Sequence, residues 1–484
     1  NSFNLFLPLR VYFYECSTEI VNIYTMLRTK KYFGITFGPI DRVLSYAKST
    51  RSIWASSYFF SDLAKRIVRP LYDAGCMFMK PFVDEKMFEP SCVGKFPDQY
   101  VFEGTDEINS IEVLRGICDN VLCNVGKRMI SCLGLDMNEE QMFDYLRHKV
   151  KIYITELESD KKESDVVEVI QDVLSCSECR DVFPDIECDN YLAMLFEKNI
   201  PDLRSFFELT SLMGFNSLPE VSSHHYVAFV KADGDNFGKN LALNKGLSDH
   251  FQTFGERLRE SVEDYGGQVI YQGGDDISFY APLYNGKEDI FCLLSGLDNE
   301  LVKCLNGVNI TDNVPSLSYG VAISYEKHPM AETRQRAEEL LKNAKDKQGK
   351  NCIVWELRKH SGQTSSGVIK KRPDNERLFV AIIDLIARSF SETQMFLHSL
   401  TFWLKRHEQT LRYILSQDNK ETLLGNFVKN NFNESIHDQH KAYFDRIKQM
   451  LCMESDNNAP NDSIDYMHDL LRYVEHLVSV VNNG

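Results

Sequence analysis

Two short acidic motifs hold the residues of this chain best suited to chemistry. The first, KADGDNFGK, spans Lys231–Lys239, and the second, QGGDDISFY, spans Gln272–Tyr280. They lie about 40 residues apart, and each sets aspartates beside glycines. Clustered carboxylates repel, so bringing Asp233, Asp275 and Asp276 together costs stability unless a cation neutralises them. Hard oxygen ligands of this kind suit Mg²⁺ or Mn²⁺. Two such ions, about 3.5–4 Å apart, activate an attacking hydroxyl and stabilise a leaving pyrophosphate. That is the chemistry of phosphoryl or nucleotidyl transfer. Asp233, Asp275 and Asp276 are therefore the candidate catalytic residues and the candidate metal ligands. Gly273 and Gly274 let backbone approach a ligand closely. The turn Gly234-Asp235-Asn236-Phe237-Gly238 offers backbone N–H groups to phosphates. Ser278, on the strand after the second motif, joins these candidate nucleotide contacts. Asp and Gly are also the default turn residues, so GGDD alone is a weak signal. Its pairing with DGD gives it weight.

A third element is Lys345, at the end of a helical pattern and ahead of Gly349 and Lys350. An ammonium there reaches over the motifs toward a triphosphate. The plainer reading is a basic helix end favoured by the macrodipole. Cys176-Ser-Glu-Cys179 has zinc-ligand spacing and Cys188 follows, but a fourth ligand is missing, and free thiols are the plainer reading. Cys118, Cys123 and Cys132 read as core residues. The dipeptides His437–Asp438 and His468–Asp469 lack the further ligands an HD-type nuclease needs.

The elements that must position these residues follow from periodicity. His225–Ala232 reads as an apolar strand. Leu247, Phe251, Phe254, Leu258 and Val262 fall on one helix face. Gln268–Gln272 and Ile277–Ala281 flank the Gly-Gly-Asp-Asp turn as a hairpin. Residues 287–305 are helical in pattern, Ser316–Ser324 alternates as a strand, Ala331–Lys345 is helical and Asn351–Leu357 is a strand. The order β-α-β-β-α-β with an added α-β is ferredoxin-like. It places Asp233 and the Asp275–Asp276 turn at one end of one sheet. Upstream, residues 31–37 read as a strand and helical patterns run from Ile40 and from Trp54. Residues 156–189 hold 12 acidic against three basic residues and read as a solvated insertion. Residues 361–373 read as a linker, and from Asn375 the pattern is helical.

Composition sets the outer bounds. The chain has 484 residues, with 54 Lys+Arg against 70 Asp+Glu and a net charge of −16. This argues against a freestanding nucleic-acid coat, because phosphate binding needs local Lys/Arg. Thirteen cysteines at irregular spacing are not a disulfide framework, so a reducing cytoplasm and no disulfide partner are expected. No run of 18 apolar residues exists, so no membrane association is expected. The apolar segment Phe3–Phe13 carries Pro8 and Arg10 and is not read as a signal peptide.

These motifs resemble a family. DGDNFG followed by GGDD is similar to the second palm domain of the large polymerase-like subunit of type III CRISPR RNA-guided effector complexes, and the Cmr-type branch (III-B) fits best. Residues 35–67 (ITFGPIDRVLSYAKSTRSIWASSYFFSDLAKRI) resemble the first palm, and residues 315–330 and 343–351 also resemble the family. NAKDKQGKN is similar to a segment of GGDEF-type cyclases whose lysine contacts phosphate, which gives Lys345 that role. The resemblance further implies that Trp54, Ser57 and Tyr58 lie near bound nucleotide.

It implies an α+β fold of two ferredoxin-like palm domains, the second catalytic, with a helical insert and an all-helical C-terminal domain. The expected divisions are an N-terminal extension over 1–30, the first palm over 31–155, an acidic helical insert with a zinc remnant over 156–222, the second palm over 223–360 and a helical domain over 361–484. The implied activity is RNA-activated conversion of ATP, with Mg²⁺ or Mn²⁺, into a signalling nucleotide. The product is cyclic oligoadenylate or AMP joined to S-adenosylmethionine. Implied partners are other Cmr-type subunits, CRISPR RNA and target RNA. The first palm starts near residue 31 with no HD nuclease domain before it, so DNase activity is not expected. The alternatives are a silent ATP-binding scaffold of the same complex and a freestanding GGDEF-like cyclase.

Overall fold

The computed structural model describes residues 30–91, 93–178, 191–198, 203–208, 225–236, 247–273, 275–305, 315–346, 350–371, 376–431, 440–457 and 460–483. They form two compact units: residues 1–215 with 270–274, and residues 216–269 with 275–484.

The first unit runs β1 (Lys30–Gly38), α1 (Ile40–Ser45), α2 (Thr50–Asp73), β2 (Met77–Lys80), β3 (Gln99–Glu103), α3 (Ile111–Leu133), α4 (Glu139–Lys149), β4 (Lys151–Ser159), α5 (Glu163–Glu178), α6 (Tyr191–Lys198) and α7 (Leu203–Phe207). Its sheet has the order β2-β3-β1-β4, with every pairing antiparallel. The two-residue period of β1 divides its side chains between two cores. Phe33, Ile35 and Phe37 enter the larger core with the buried face of α2, whereas Tyr32 joins Val166, Ile170 and Leu174 of α5. Ser49 starts α2 with a capping box shared with Ser52.

Residues 156–178 of the acidic segment therefore depart from a solvated insertion, and residues 179–189 lie outside the described residues. Residues 156–159 are the end of β4, which pairs with β1 through Lys30↔Ser159, and α5 covers the second face of the sheet. The reason is its amphipathicity. Glu163, Asp165, Glu168 and Asp172 of α5 are exposed while Val166, Ile170 and Leu174 recur at helical spacing on the inner face, and Glu178 at its end accepts from Thr36 and Gln99 of the sheet.

The second unit runs β5 (Tyr226–Asp235), α8 (Leu247–Tyr265), β6 (Gln268–Gly273), β7 (Asp276–Pro282), α9 (Ile290–Leu305), β8 (Ser316–Tyr325), α10 (Met330–Asp346), β9 (Cys352–Arg358) and β10 (Thr364–Lys370). Six helices follow: α11 (Glu376–Ser389), α12 (Gln394–Arg406), α13 (Glu408–Leu415), α14 (Lys420–Asn431), α15 (Lys441–Asn457) and α16 (Pro460–Asn483). The sheet order is β10-β9-β8-β5-β7-β6. Its β8-β5-β7-β6 part repeats the strand order of the first sheet, so the ferredoxin-like arrangement occurs twice. β9 joins β8 in parallel after the α10 crossover. No helix among the described residues is long and apolar enough to cross a membrane.

Residues 364–370 are a strand rather than a linker. β10 pairs with β9 from Thr364↔Arg358 to Lys370↔Cys352. Gly367 makes room for the Trp355 indole, where a Cβ would lie 2.9 Å from Nε1. Ser, Thr and Gly in this stretch mark a thin edge strand beneath an aromatic ring.

Gly320 of β8 fixes how closely α10 lies on the sheet. A Cβ there would fall 2.1 Å from the Ala337 carbonyl oxygen and 2.3 Å from the Leu341 nitrogen, both backbone atoms of α10. Gly320→Ala should therefore destabilise the chain by about 3 kcal/mol, because rigid backbone must shift. Gly116→Ala, on the exposed side of α3 with nothing within 4 Å, should stabilise it by about 0.5–1 kcal/mol. Urea unfolding of the two variants checks both signs.

Candidate functional site

The register of the second sheet brings the two acidic motifs together. Asp233 of β5 lies directly opposite Asp276 of β7, and Lys231 lies opposite Ser278. The Gly234 N–H donates to the Asp275 carbonyl at 3.1 Å. On the other side of β5, Asp233 faces Ser318 and Asp235 faces Ser316 of β8. Alternation then puts Lys231, Asp233, Asp235, Asp276, Ser278, Ser316 and Ser318 on one face of the sheet. Helix α10 lies across that face, and Gly320, opposite Lys231, is its point of close approach.

The aspartates of β5 and its partner differ in environment. Asp275 and Asp276 are partly exposed. The Asp233 side chain is 42% exposed. Asp235 is 1% exposed and saturated with donors. Its Oδ2 accepts from Ser316 Oγ at 3.0 Å, Ser318 Oγ at 2.7 Å and the Asn351 N–H at 2.8 Å. Its Oδ1 accepts from Lys345 Nζ at 2.9 Å. A buried carboxylate costs several kcal/mol in lost hydration, and donors of this number and charge offset it. The sequence placed Asp235 among the nucleotide contacts; the fold gives it a supporting position beneath them, because i and i+2 on β5 share a face and α10 covers only the second.

Lys345 bridges the two carboxylates. Its ammonium donates to the Gly234 carbonyl at 2.6 Å and lies 3.0 Å from Asp233 Oδ1. The α10 periodicity and the Gly320 contact together carry it there. The lysine thus supplies positive charge at the motif, on the carboxylate side.

The donor chemistry fits a divalent cation. Carboxylates of Asp233 and Asp276 stand opposite each other, Asp275 adjoins them, and the Gly234 carbonyl is aimed at the Lys345 cation. Among the described residues no three or more His, Cys, Asp or Glu side chains are grouped so as to hold a metal ion. Mg²⁺ commonly binds through one or two carboxylates with waters and substrate phosphates completing its shell, so a partial set is the kind it uses.

Other candidates fare differently. Gly273 ends β6 and is buried, and a Cβ there would meet its own strand's Tyr271 hydroxyl at 1.8 Å. Asn236 closes β5 in the left-handed region at φ 65°. Phe237, Gly238 and Gly274 lie outside the described residues. Cys176 is exposed on α5, while Cys179 and Cys188 also lie outside the described residues. Trp54, Ser57 and Tyr58, expected near bound nucleotide, are buried in the first unit. The fully buried Trp54 ring stacks on Tyr58 at 5.3 Å and meets Phe207 edge-on, and the Tyr58 hydroxyl donates to the Ser91 carbonyl. The apolar face of α2 explains this, since these residues fall on it.

Sequence reasoning missed Ser316, Ser318 and Asn351 as supports of Asp235, and an ion pair behind them between a buried lysine and a partly exposed aspartate. Lys371 Nζ donates to Asp298 Oδ1 and Oδ2 at 2.7 and 2.6 Å. No local signal could have joined residues so far apart along the chain.

Comparison with known proteins places both sheets. Residues 226–354 match the family model described as Cas10/Cmr2, second palm domain, and residues 32–102 match that of CRISPR-associated protein Cmr2, N-terminal. A Csm1–Csm4 cassette solved in complex with cA4 is similar at TM-score 0.53 and 11% identity, covering 93% of this chain and 70% of that one. The type III-B Cmr-beta complex bound to cognate target RNA is similar at TM-score 0.50 and 10% identity, covering 83% and 78%. A Csm1–Csm4 cassette in complex with cA3 follows at TM-score 0.42 and 12% identity; the match covers 67% of this chain and about half, 54%, of that one. At these identities the likeness is one of fold. No curated protein sequence matches the chain significantly.

The contrast between the two β5 aspartates is measurable. Asp235→Ala should cost about 3 kcal/mol or more, since it leaves four donors and a lysine charge without their acceptor. Asp233→Ala should change stability by less than about 1 kcal/mol, because its ion pair is half in solvent. Urea unfolding midpoints of the two variants against the parent chain decide the matter.

Proposed function

We infer that this chain, which carries the Cas10/Cmr2 second palm domain and the Cmr2 N-terminal region of type III CRISPR subunits, is the nucleotidyltransferase subunit of an RNA-guided effector complex. The observation that carries the reading is the facing of Asp233 and Asp276 across β5 and β7, with the Lys345 ammonium held at Asp233. The solved relatives in complex with cA4 and with target RNA support the same assignment for the fold.

The substrate is ATP. Asp233, Asp275 and Asp276 would hold Mg²⁺ or Mn²⁺, which when bound favours ionisation of an attacking ribose hydroxyl and neutralises the leaving pyrophosphate. The chain's own residues do the rest by position and charge. β5 and β7 fix the facing of Asp233 and Asp276 through paired backbone. Lys345 offsets part of the negative charge that a triphosphate would otherwise meet at Asp233 and Asp235. Gly234 brings backbone to the site without a side chain of its own, and Ser278 lies on the same face as Asp233. The product is a signalling nucleotide, either cyclic oligoadenylate or AMP joined to S-adenosylmethionine. Guide and target RNA, bound with Cmr-type partner subunits, switch the site on.

The test is product analysis. The chain is assembled with its partner subunits, guide RNA and complementary target RNA. It then receives labelled ATP with Mg²⁺ or Mn²⁺, with and without S-adenosylmethionine. Mass spectrometry should show a target-dependent adenylate product, lost by at least about 100-fold in Asp275→Ala/Asp276→Ala. Equal product from that variant removes the catalytic assignment. Equal product without target RNA points instead to a freestanding cyclase, and no product under any condition points to a scaffold.

A further inference from the structure

The support beneath the acidic site continues to the far edge of the sheet. The Asn351 N–H that donates to Asp235 belongs to a residue at φ 47°, and Lys350 before it is at φ 50°. Two consecutive non-glycine residues in the left-handed region cost energy and persist only where the surroundings hold them. The holding group is Lys371, the residue that follows β10. Its backbone N–H donates to the Asn351 carbonyl at 2.9 Å, and its carbonyl accepts from Asn351 Nδ2 at 3.2 Å.

Lys371 is itself pinned. Its side chain is 4% exposed and makes both contacts to Asp298 of α9. Its ammonium lies 4.3 Å from the centre of the Tyr319 ring, whose hydroxyl donates to Asp298 Oδ1 at 3.0 Å. Tyr319 alternates with Ser318 and Gly320 on β8, so this cluster lies on the opposite face of the sheet from the acidic site. Burial pushes the Lys371 ammonium down and the Asp298 carboxyl up, each against the attraction of the other. Such a pair adds little net stability over an apolar one, and its directional bonds are well suited to fixing a geometry.

We propose that Lys371 is a positioning residue for the carboxylate site: pinned by Asp298 and Tyr319, it holds Asn351, and through Asn351 it sets Asp235 and the Lys345 ammonium against Asp233. The proposal rests on the nucleotidyltransferase reading for its kinetic arm alone. The path is continuous in hydrogen bonds, from Lys371 to Asn351, from Asn351 to Asp235, and from Asp235 to Lys345. Loss of the Lys371 side chain frees the strained Asn351 backbone to relax. Asp235 then loses a donor, and the lysine it anchors loses its fixed distance to Asp233.

The test uses Lys371→Met and, because a lone Asp298 carboxylate left behind could unfold the chain, Asp298→Asn/Lys371→Met, which removes both charges of the pair. Hydrogen exchange of the full chain should show faster exchange at the Asn351 amide in both variants, with β5 and β8 protected as before. In the assembled complex the kcat for ATP should fall about 10- to 100-fold, the scale for a misplaced group at a reacting centre. KM should stay within about two-fold, since Lys371 touches no substrate. In a Lys345→Met background, Lys371→Met should cost no more than about two-fold further, because the two act along one path. Equal losses of kcat with and without Lys345, or unchanged exchange at Asn351, overturn the proposal and leave Lys371 a stabilising residue only. If the parent complex makes no nucleotide product, the nucleotidyltransferase reading fails, and the exchange result still decides whether Lys371 holds Asn351.

Discussion

Asp235 is the carboxylate on which the rest of the second unit depends. A negative charge with almost no exposure is tolerable only if every lone pair is met. Meeting them requires β8 to bring Ser316 and Ser318, α10 to bring Lys345 and the start of β9 to bring Asn351. Separate stretches of chain therefore converge on one side chain. The same convergence leaves Asp233, two residues earlier on β5, at the open end of the face with a cation beside it.

Close backbone approach makes this convergence geometrically accessible. Gly320 brings α10 down onto β8, and Lys345 at the far end of the helix is carried to Asp235. The first unit uses the same device at another place. Gly34 of β1 lies under α5, where a Cβ would fall 2.3 Å from Ile170 Cγ2. Both sheets share one strand order, yet only the second has aspartates at the end of its central strand. The core of the first is rich in aromatic side chains, including Trp54, Tyr58 and Phe207. One arrangement thus serves packing in one unit and charge placement in the other.

Much of this is legible in the order of residues alone. The apolar run ending in DGD, the GGDD hairpin and the helical period before Lys345 specify the elements of the second sheet and the meeting of Asp233 with Asp276. Those signals are local: strand alternation, turn chemistry and helix period each read within a window of a few residues. The acidic run at 156–189 and the Ser/Gly stretch at 361–373 mislead for the same reason. Charge and small residues describe what faces solvent or what lies beneath a neighbour. The buried Val166, Ile170 and Leu174 and the Trp355 ring over Gly367 are apparent only once the neighbour is in place.

The chemistry proposed for the site rests on the pairing of DGD with GGDD, since Asp and Gly in either motif alone are ordinary turn residues. The role of each residue comes from folding. Asp233 and Asp235 stand two residues apart in one motif, and burial under α10 separates a half-exposed carboxylate from a buried one. The burial of Trp54 and Tyr58 comes from the apolar face of α2 and is not apparent in their motif. Lys371 and Asp298 carry no motif at all, because a long-range pair is defined by where the chain returns and not by what stands beside it in sequence.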